Sequence, residues 1–469
     1  MFQRILQWIR EQLNKMLNQT NVKQALNVDV AISAPMATAL QTWSLMYTNQ
    51  ATWLNNDIKS LNLPAAIAGE IARAVTIEMT VEVSGSPRAD YLNDQFENVV
   101  NVLRQYVEYG VAKGGLMMKP YVSGDNISVD FVQADQFFPV AFDANGNITS
   151  CIFSDQRQVG TNYFTRLEYH QTIPEGCIIR NQAYKSQTKD TLGQQVQLTE
   201  LDAWKDLEPE ATITGIDKPL FAYFKFPQAN NIDPTSPLGV SCFARAASGT
   251  KCLIQQADEQ WSNLLWEFES GQRALYVDVL AFGKTSDGKP ILPNKRLYRT
   301  MESGSAEGEF FQEWSPTLRE LNILNGLDAI LRKIEFTCGL AYGMLSNPAT
   351  VYKTATELKI SQQRSYSTIT DCQKNLEEAL EQLLWAMDTW ATIDNLAPAG
   401  TYEAVYEWDD SVIVDKDLQF QQDMRLVTAG LMSKIEFRVR NFGESEELAT
   451  KMLAMIPVPE PVGLFGGAQ

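Results

Sequence analysis

The chain carries a single histidine and six cysteines, and these limit the chemistry its side chains can do. Ser-His-Asp triads and most catalytic zinc sites need imidazole, which only His170 supplies. His170 ends the stretch Arg166-Leu-Glu-Tyr-His170, whose alternation reads as a strand, so an ordinary sheet residue is the simpler expectation. Cys151, Cys177, Cys242, Cys252, Cys338 and Cys372 show no C-x-x-C or other metal-ligand spacing. Their apolar contexts suit buried reduced thiols and a reducing, cytosolic compartment. Asp409-Asp410 follows a strand pattern, with Asp415 and Asp417 just beyond, so residue type alone leaves metal-dependent nuclease chemistry open. A place in the first turn of a helix, where carboxylates meet the macrodipole, explains these acids more simply. Gly283-Lys284-Thr285 resembles the end of a phosphate loop, but Asp278 stands where that loop needs glycine. Gly110-Val-Ala-Lys-Gly114-Gly115 runs from helix into strand, the wrong order for a dinucleotide site. It reads instead as a helix C-cap with a close backbone approach. No cofactor and no enzymatic activity are expected.

The elements around these residues follow from periodicity. Phe2, Ile5, Leu6, Ile9, Leu13, Met16 and Leu17 share one helical face, interrupted by Arg4, Arg10, Glu11 and Lys15, which suits a packed surface helix. Helices are expected over 35–60, 61–75 and 89–110, with a strand over 76–83. From Gly114 to about 226 the pattern turns to short antiparallel strands and hairpins. Asp233-Pro-Thr-Ser-Pro-Leu-Gly239 breaks it, and a helix is expected over 240–270. Short strands at 274–280 and 297–301 follow, then a second helix opening at Ser315-Pro316 and running to about 336. Two helices flanking one β module make a stalk. Gly339, Gly343 and Pro348 interrupt the helical run before a very long helix over 354–390, a strand at 402–408 and three helices between 415 and 456.

Composition narrows the class of function. Of 469 residues 45% are hydrophobic, which excludes a disordered chain. Lys and Arg total 39 against 57 Asp and Glu, a formal charge of −18. Such a surface is ill suited to gripping nucleic acid throughout, since duplex binding needs cations to replace counterions, but it permits enclosing a duplex without holding it. No run reaches the roughly 18 apolar residues of a membrane span, and no membrane partner is expected.

Several segments, in this order, resemble the portal proteins of tailed bacteriophages, of the siphophage and prophage type. They are Val107-Glu-Tyr-Gly-Val-Ala-Lys-Gly-Gly-Leu-Met-Met-Lys-Pro-Tyr121, Gln133-Ala-Asp-Gln-Phe-Phe-Pro139, Ser236-Pro-Leu-Gly-Val-Ser241 and Lys353-Thr-Ala-Thr-Glu-Leu358. Asp409-Asp-Ser411, Leu426-Val-Thr-Ala-Gly-Leu-Met-Ser433 and Phe442-Gly-Glu-Ser445 complete the set. The resemblance implies an α+β portal fold with an α/β wing, a two-helix stem, a small β clip, a long kinked helix and a C-terminal helical crown. The wing would take 1–235 and 358–408, the stem 236–270 and 317–341, the clip 271–316, the tunnel loop 342–357 and the crown 409–469.

It further implies a ring of about twelve subunits at one capsid vertex, built by heterologous contacts. That ring would be the channel for packaging and ejecting double-stranded DNA. It would dock terminase and a head–tail connector or adaptor protein, and meet the major capsid protein and scaffold. The chain would reside in the host cytoplasm during assembly and then in the virion. In the tunnel loop, Asn347, Thr350, Tyr352 and Lys353 would face DNA. In the clip, Lys284, Lys289, Lys295, Arg296 and Arg299 would meet partners. The clip carries six basic and six acidic residues, so it is neutral within an acidic chain, which suits protein docking. The alternatives are another phage structural protein, a head–tail adaptor or scaffold, and a metal-dependent nuclease.

Overall fold

The computed structural model describes residues 19–77, 79–278, 287, 298–301, 311–348, 355–408 and 416–455. The expected N-terminal helix, the Gly283-Lys284-Thr285 turn and Asp409-Asp-Ser411 lie outside these residues. The chain divides into two compact units, 1–407 and 408–469.

The first unit opens with α1 (Gln19–Leu26), α2 (Ala34–Tyr47) and α3 (Leu63–Thr76), followed by β1 (Met79–Ser84) and the 27-residue α4 (Pro87–Lys113). Ser33 and Ser86 start α2 and α4 by accepting from the Met36 and Ala89 amides, each with proline in the first turn. On α4 the helical spacing of Leu92, Phe96, Val99, Leu103 and Val107 places all five in the core. The helix expected to run to residue 60 ends at Tyr47. Asn49 takes the left-handed conformation, and the Asn55 side chain accepts from the Asp57 and Ile58 amides. The loop is then held by the buried Asp258, which accepts from Trp53 Nε1 at 2.9 Å and from the Leu61 amide at 2.8 Å.

The sheet region holds β2 (Gly115–Ser123), β3 (Asn126–Gln133), β4 (Phe137–Phe142), β5 (Ile148–Val159), β6 (Asn162–Ile173), β7 (Gly176–Ser186), β8 (Gln194–Val196), β9 (Glu210–Thr214) and β10 (Ala222–Lys225). All pairings are antiparallel, in the order β4-β5-β6-β7-β8 with β9 also on β7, and separately β10-β2-β3. His170 sits on β6 as the alternation predicts, 2% exposed, with Nε2 at 2.7 Å from Glu168 Oε1. Glu168 also receives Lys119 Nζ at 2.6 Å and Arg166 Nη2 at 2.9 Å. Burial alone would raise the Glu168 carboxyl, but the Lys119 charge and the His170 hydrogen bond outweigh it and hold it well below the usual range. Burial lowers the His170 imidazole, keeping it neutral near pH 7 as a structural partner of that carboxylate.

After β10 come α5 (Leu253–Ser270), β11 (Ala274–Asp278), β12 (Tyr298–Met301), β13 (Phe311–Trp314), α6 (Glu320–Cys338), the 39-residue α7 (Ala355–Ile393) and β14 (Glu403–Trp408), which lies beside β1. Two helix starts differ from the sequence reading. The helix expected from 240 begins at Leu253, because residues 240–246 form an irregular core segment in which Val240, Cys242 and Phe243 are buried. Gly249, at φ +94°, turns the chain, and Cys252 Sγ caps α5 by accepting from the Gln255 amide. The helix expected at Ser315-Pro316 starts at Glu320, since the Arg319 amide is engaged by Glu267 instead.

Strand β2 is the centre of the first unit, its first six residues all buried. Gly114, at φ +90°, ends α4 and meets Gly239 backbone to backbone; a Cβ on Gly114 would lie 2.5 Å from the Gly239 carbonyl oxygen. The Phe226 amide donates to the Gly114 carbonyl, and the Cys242 amide to that of Val111. Beside them Lys113 Nζ lies 2.5 Å from Asp135 Oδ2. The segments 107–121, 133–139 and 236–241 therefore meet at one place.

The second unit holds α8 (Lys416–Thr428), α9 (Lys434–Phe442) and α10 (Glu446–Ala454). Ser433 caps α9, Gly443 ends it in the left-handed conformation, and Ser445 caps α10. Phe420, Phe437 and Phe442 pack edge to face, and Arg438 forms a two-point pair with Glu444 at 2.7 and 2.6 Å.

Replacing Gly114 or Gly239 by Ala should cost at least about 2 kcal/mol, because backbone cannot yield as a flexible side chain would. Thermal denaturation should show a lowered midpoint for both variants, with an Ala at the open, solvent-facing Gly124 costing less.

Candidate functional site

Helices α5 and α6 pack against each other, and the strands β11–β13 form a small sheet inserted between them in sequence. The stalk holds because each helix has one apolar face: Ile254, Ala257 and Leu264 on α5, Leu327, Ile334 and Cys338 on α6. At its module end, Glu267 Oε1 accepts from the Arg319 amide at 2.9 Å, and Oε2 from Arg319 Nη2 at 2.8 Å. The Arg319 hydrogen bonds hold the Glu267 carboxyl below its usual range. Trp266 and Leu321, near the same end, are 64% and 68% exposed, so the stalk shows apolar surface beyond its packing face.

In the module β11 is central, parallel to β12 and antiparallel to β13. Arg299 lies on the edge strand β12, in register with Tyr276. Lys284, Lys289, Lys295 and Arg296 lie outside the described residues. Arg273, just before β11, and Glu313 of β13 form an exposed pair at 3.5 Å.

The segment after α6 is tied down in a way the sequence reading missed. Gly339 ends the helix at φ +74°. The chain then doubles back, and Glu335, fully buried, gathers it. Its Oε1 accepts from the amides of Gly343 at 3.1 Å, Leu345 at 2.6 Å and Ser346 at 2.8 Å; its Oε2 accepts from Ser346 Oγ at 2.8 Å. Asp328, paired with Arg332 at 2.7 Å, accepts from the Asn347 amide at 2.7 Å. Residues 343–347 are thus strapped to α6, and the backbone of Asn347 is held there. Thr350, Tyr352 and Lys353 lie outside the described residues, and residues 355–357, expected in the loop, are the first turn of α7. The available signal was a carboxylate beside the apolar face of α6, which calls for partners when buried.

Asp409, Asp410 and Asp415 lie outside the described residues, and Asp417 falls in the first turn of α8. Among the described residues no three His, Cys, Asp or Glu side chains gather as metal ligands, and no helix is long and apolar enough to cross a membrane. The six cysteines are free and buried, and burial pushes the Cys177 thiol up to about 11.

The family model described as phage portal protein, SPP1 Gp6-like, matches residues 6–454. No curated protein matches the chain.

Two measurements check the straps. Glu335→Ala should destabilise the chain by about 3 kcal/mol or more, because the Leu345 and Ser346 amides and the Ser346 hydroxyl lose their acceptor. Limited proteolysis should then cut within 341–348 faster than in the parent, with Glu335→Gln intermediate. The Glu267–Arg319 pair has a lowered carboxyl pKa, so its contribution is present above about pH 4.3 and is lost as pH falls through the folded value. The stability gap between the parent and Arg319→Gln should therefore be constant near neutrality and close in acid.

Proposed function

The chain belongs to the SPP1 Gp6-like family of phage portal proteins, and we propose a working arrangement for its parts. The family has the portal role in packaging DNA into tailed-phage heads, as an oligomeric ring in the virion associated with the capsid and terminase machinery. In the proposed arrangement about twelve copies close the ring by heterologous contacts, with the surplus apolar positions of α5 and α6 facing neighbouring subunits. The 271–316 module docks terminase during packaging and a head–tail connector afterwards. Assembly takes place in the host cytoplasm, where the ring meets the major capsid protein and scaffold. The strand module carried between two mutually packed helices, within a family match over nearly the whole chain, supports this reading best.

Electrostatics fits a conduit. Persistent phosphate contacts would have to break at every step of a sliding duplex, and a charge of −18 disfavours them. In this arrangement Asn347, Thr350, Tyr352 and Lys353 approach the DNA, and Lys353 gives each subunit one cation there. The ring itself hydrolyses no ATP, since Asp278 replaces the glycine that a phosphate loop requires, and packaging energy comes from the docked terminase.

Negative-stain images of the purified full-length chain should show rings with a central hole, and particles without a hole would refute the arrangement. Deleting residues 284–308 should leave the rings and abolish terminase association in a pull-down. Lys353→Glu should spare the rings and lower the DNA content of capsids; unchanged DNA content would remove Lys353 from the channel.

A further inference from the structure

Two cations, one on α6 and one on α7, gather at a single aromatic side chain. On α6, Ala329, Arg332, Lys333 and Phe336 recur at helical spacing on one stripe, opposite the buried Leu327, Ile334 and Cys338. Phe336 is 46% exposed yet does not stand alone. Lys333 Nζ lies 5.0 Å from its ring centroid, and the Arg364 guanidinium carbon, from α7, lies 4.1 Å away. Neither Lys333 nor Arg364 forms an ion pair with a described side chain. The same stripe, together with Tyr342, walls an open cavity of about 520 Å³. Tyr342 is the residue just before the strapped segment, so the Glu335 hydrogen bonds set the position of that wall.

We propose that Lys333, Arg364 and Phe336, with Arg332 at the rim, form a contact site for the phosphate backbone of duplex DNA. The proposal rests on the portal reading. The two cations are oriented by an aromatic face, which costs them little of their hydrogen-bonding capacity, since a guanidinium resting on a ring keeps its N–H edge for phosphate oxygens. Such a contact carries no sequence information and is weak enough for a moving polymer. Within a chain of −18, two cations without a carboxylate partner among the described residues also mark a place where a polyanion meets little repulsion. The site moves part of the DNA contact from the loop to the rigid helices that carry it.

The test places a benzophenone amino acid at Ala329, which lines the cavity and is neither a cation nor a core residue, and irradiates DNA-filled capsids containing the full-length chain. A portal–DNA adduct is expected, falling several-fold when Lys333→Glu and Arg364→Glu are added. With purified rings and a fluorescent duplex, Lys333→Gln and Arg364→Gln together should flatten the salt dependence of binding by about 0.9 for each phosphate no longer neutralised. An adduct only to a neighbouring portal chain or another protein would overturn the DNA assignment and make the stripe a protein contact, with the portal role intact. A chain absent from filled capsids would refute the portal reading and this inference together.

Discussion

Gly114 and Gly239 pass each other with backbone against backbone, and the first unit is arranged so that they can. The left-handed turn at Gly114 stops α4 and sends the chain directly into β2, the most buried strand of the sheet region. The absence of a Cβ on Gly239 lets the 236–246 segment lie in the same place, where the Cys242 amide reaches Val111 and the Gly239 amide reaches the Tyr223 hydroxyl. Lys113 and Lys119, flanking the turn, are buried only because Asp135 and Glu168 meet them. Three segments that mark the portal family are therefore one junction, and their residue types are set by packing.

Three buried or half-buried carboxylates serve to hold loops. Asp258 gathers the segment after α2, Glu267 gathers the chain as it leaves the strand module, and Glu335 gathers the segment after α6. Each carboxylate accepts from backbone amides that no helix or sheet would satisfy, which gives irregular segments a fixed place. At the stalk Arg319 and Arg332 share in this work, pairing with Glu267 and Asp328. Lys333 and Arg364 are oriented differently, by the ring of Phe336.

The sequence carried most of the elements and little of their arrangement. The long helix read over 354–390 spans Ala355–Ile393, and the strand at His170 lies where alternation put it, because periodicity is a local property of burial on one face. The C-cap read at Gly110–Gly115 was legible for the same reason, since Gly114 acts within a turn of its own position. The 240–252 stretch was misread because its apolar residues recur at helical spacing while packing as irregular core.

What the sequence determined by itself was most of the helices and strands, the acidic charge, the failed phosphate loop and the order of the segments that resemble the family. Only the tertiary structure decided that Gly114 needs Gly239, that Glu335 binds the loop after its own helix, and that Arg364 of α7 joins Lys333 over Phe336. The physical reason is range. Propensity, periodicity and caps act over a few residues and can be read along the chain, whereas a buried donor or a missing Cβ finds its partner across the fold, and nothing local names that partner.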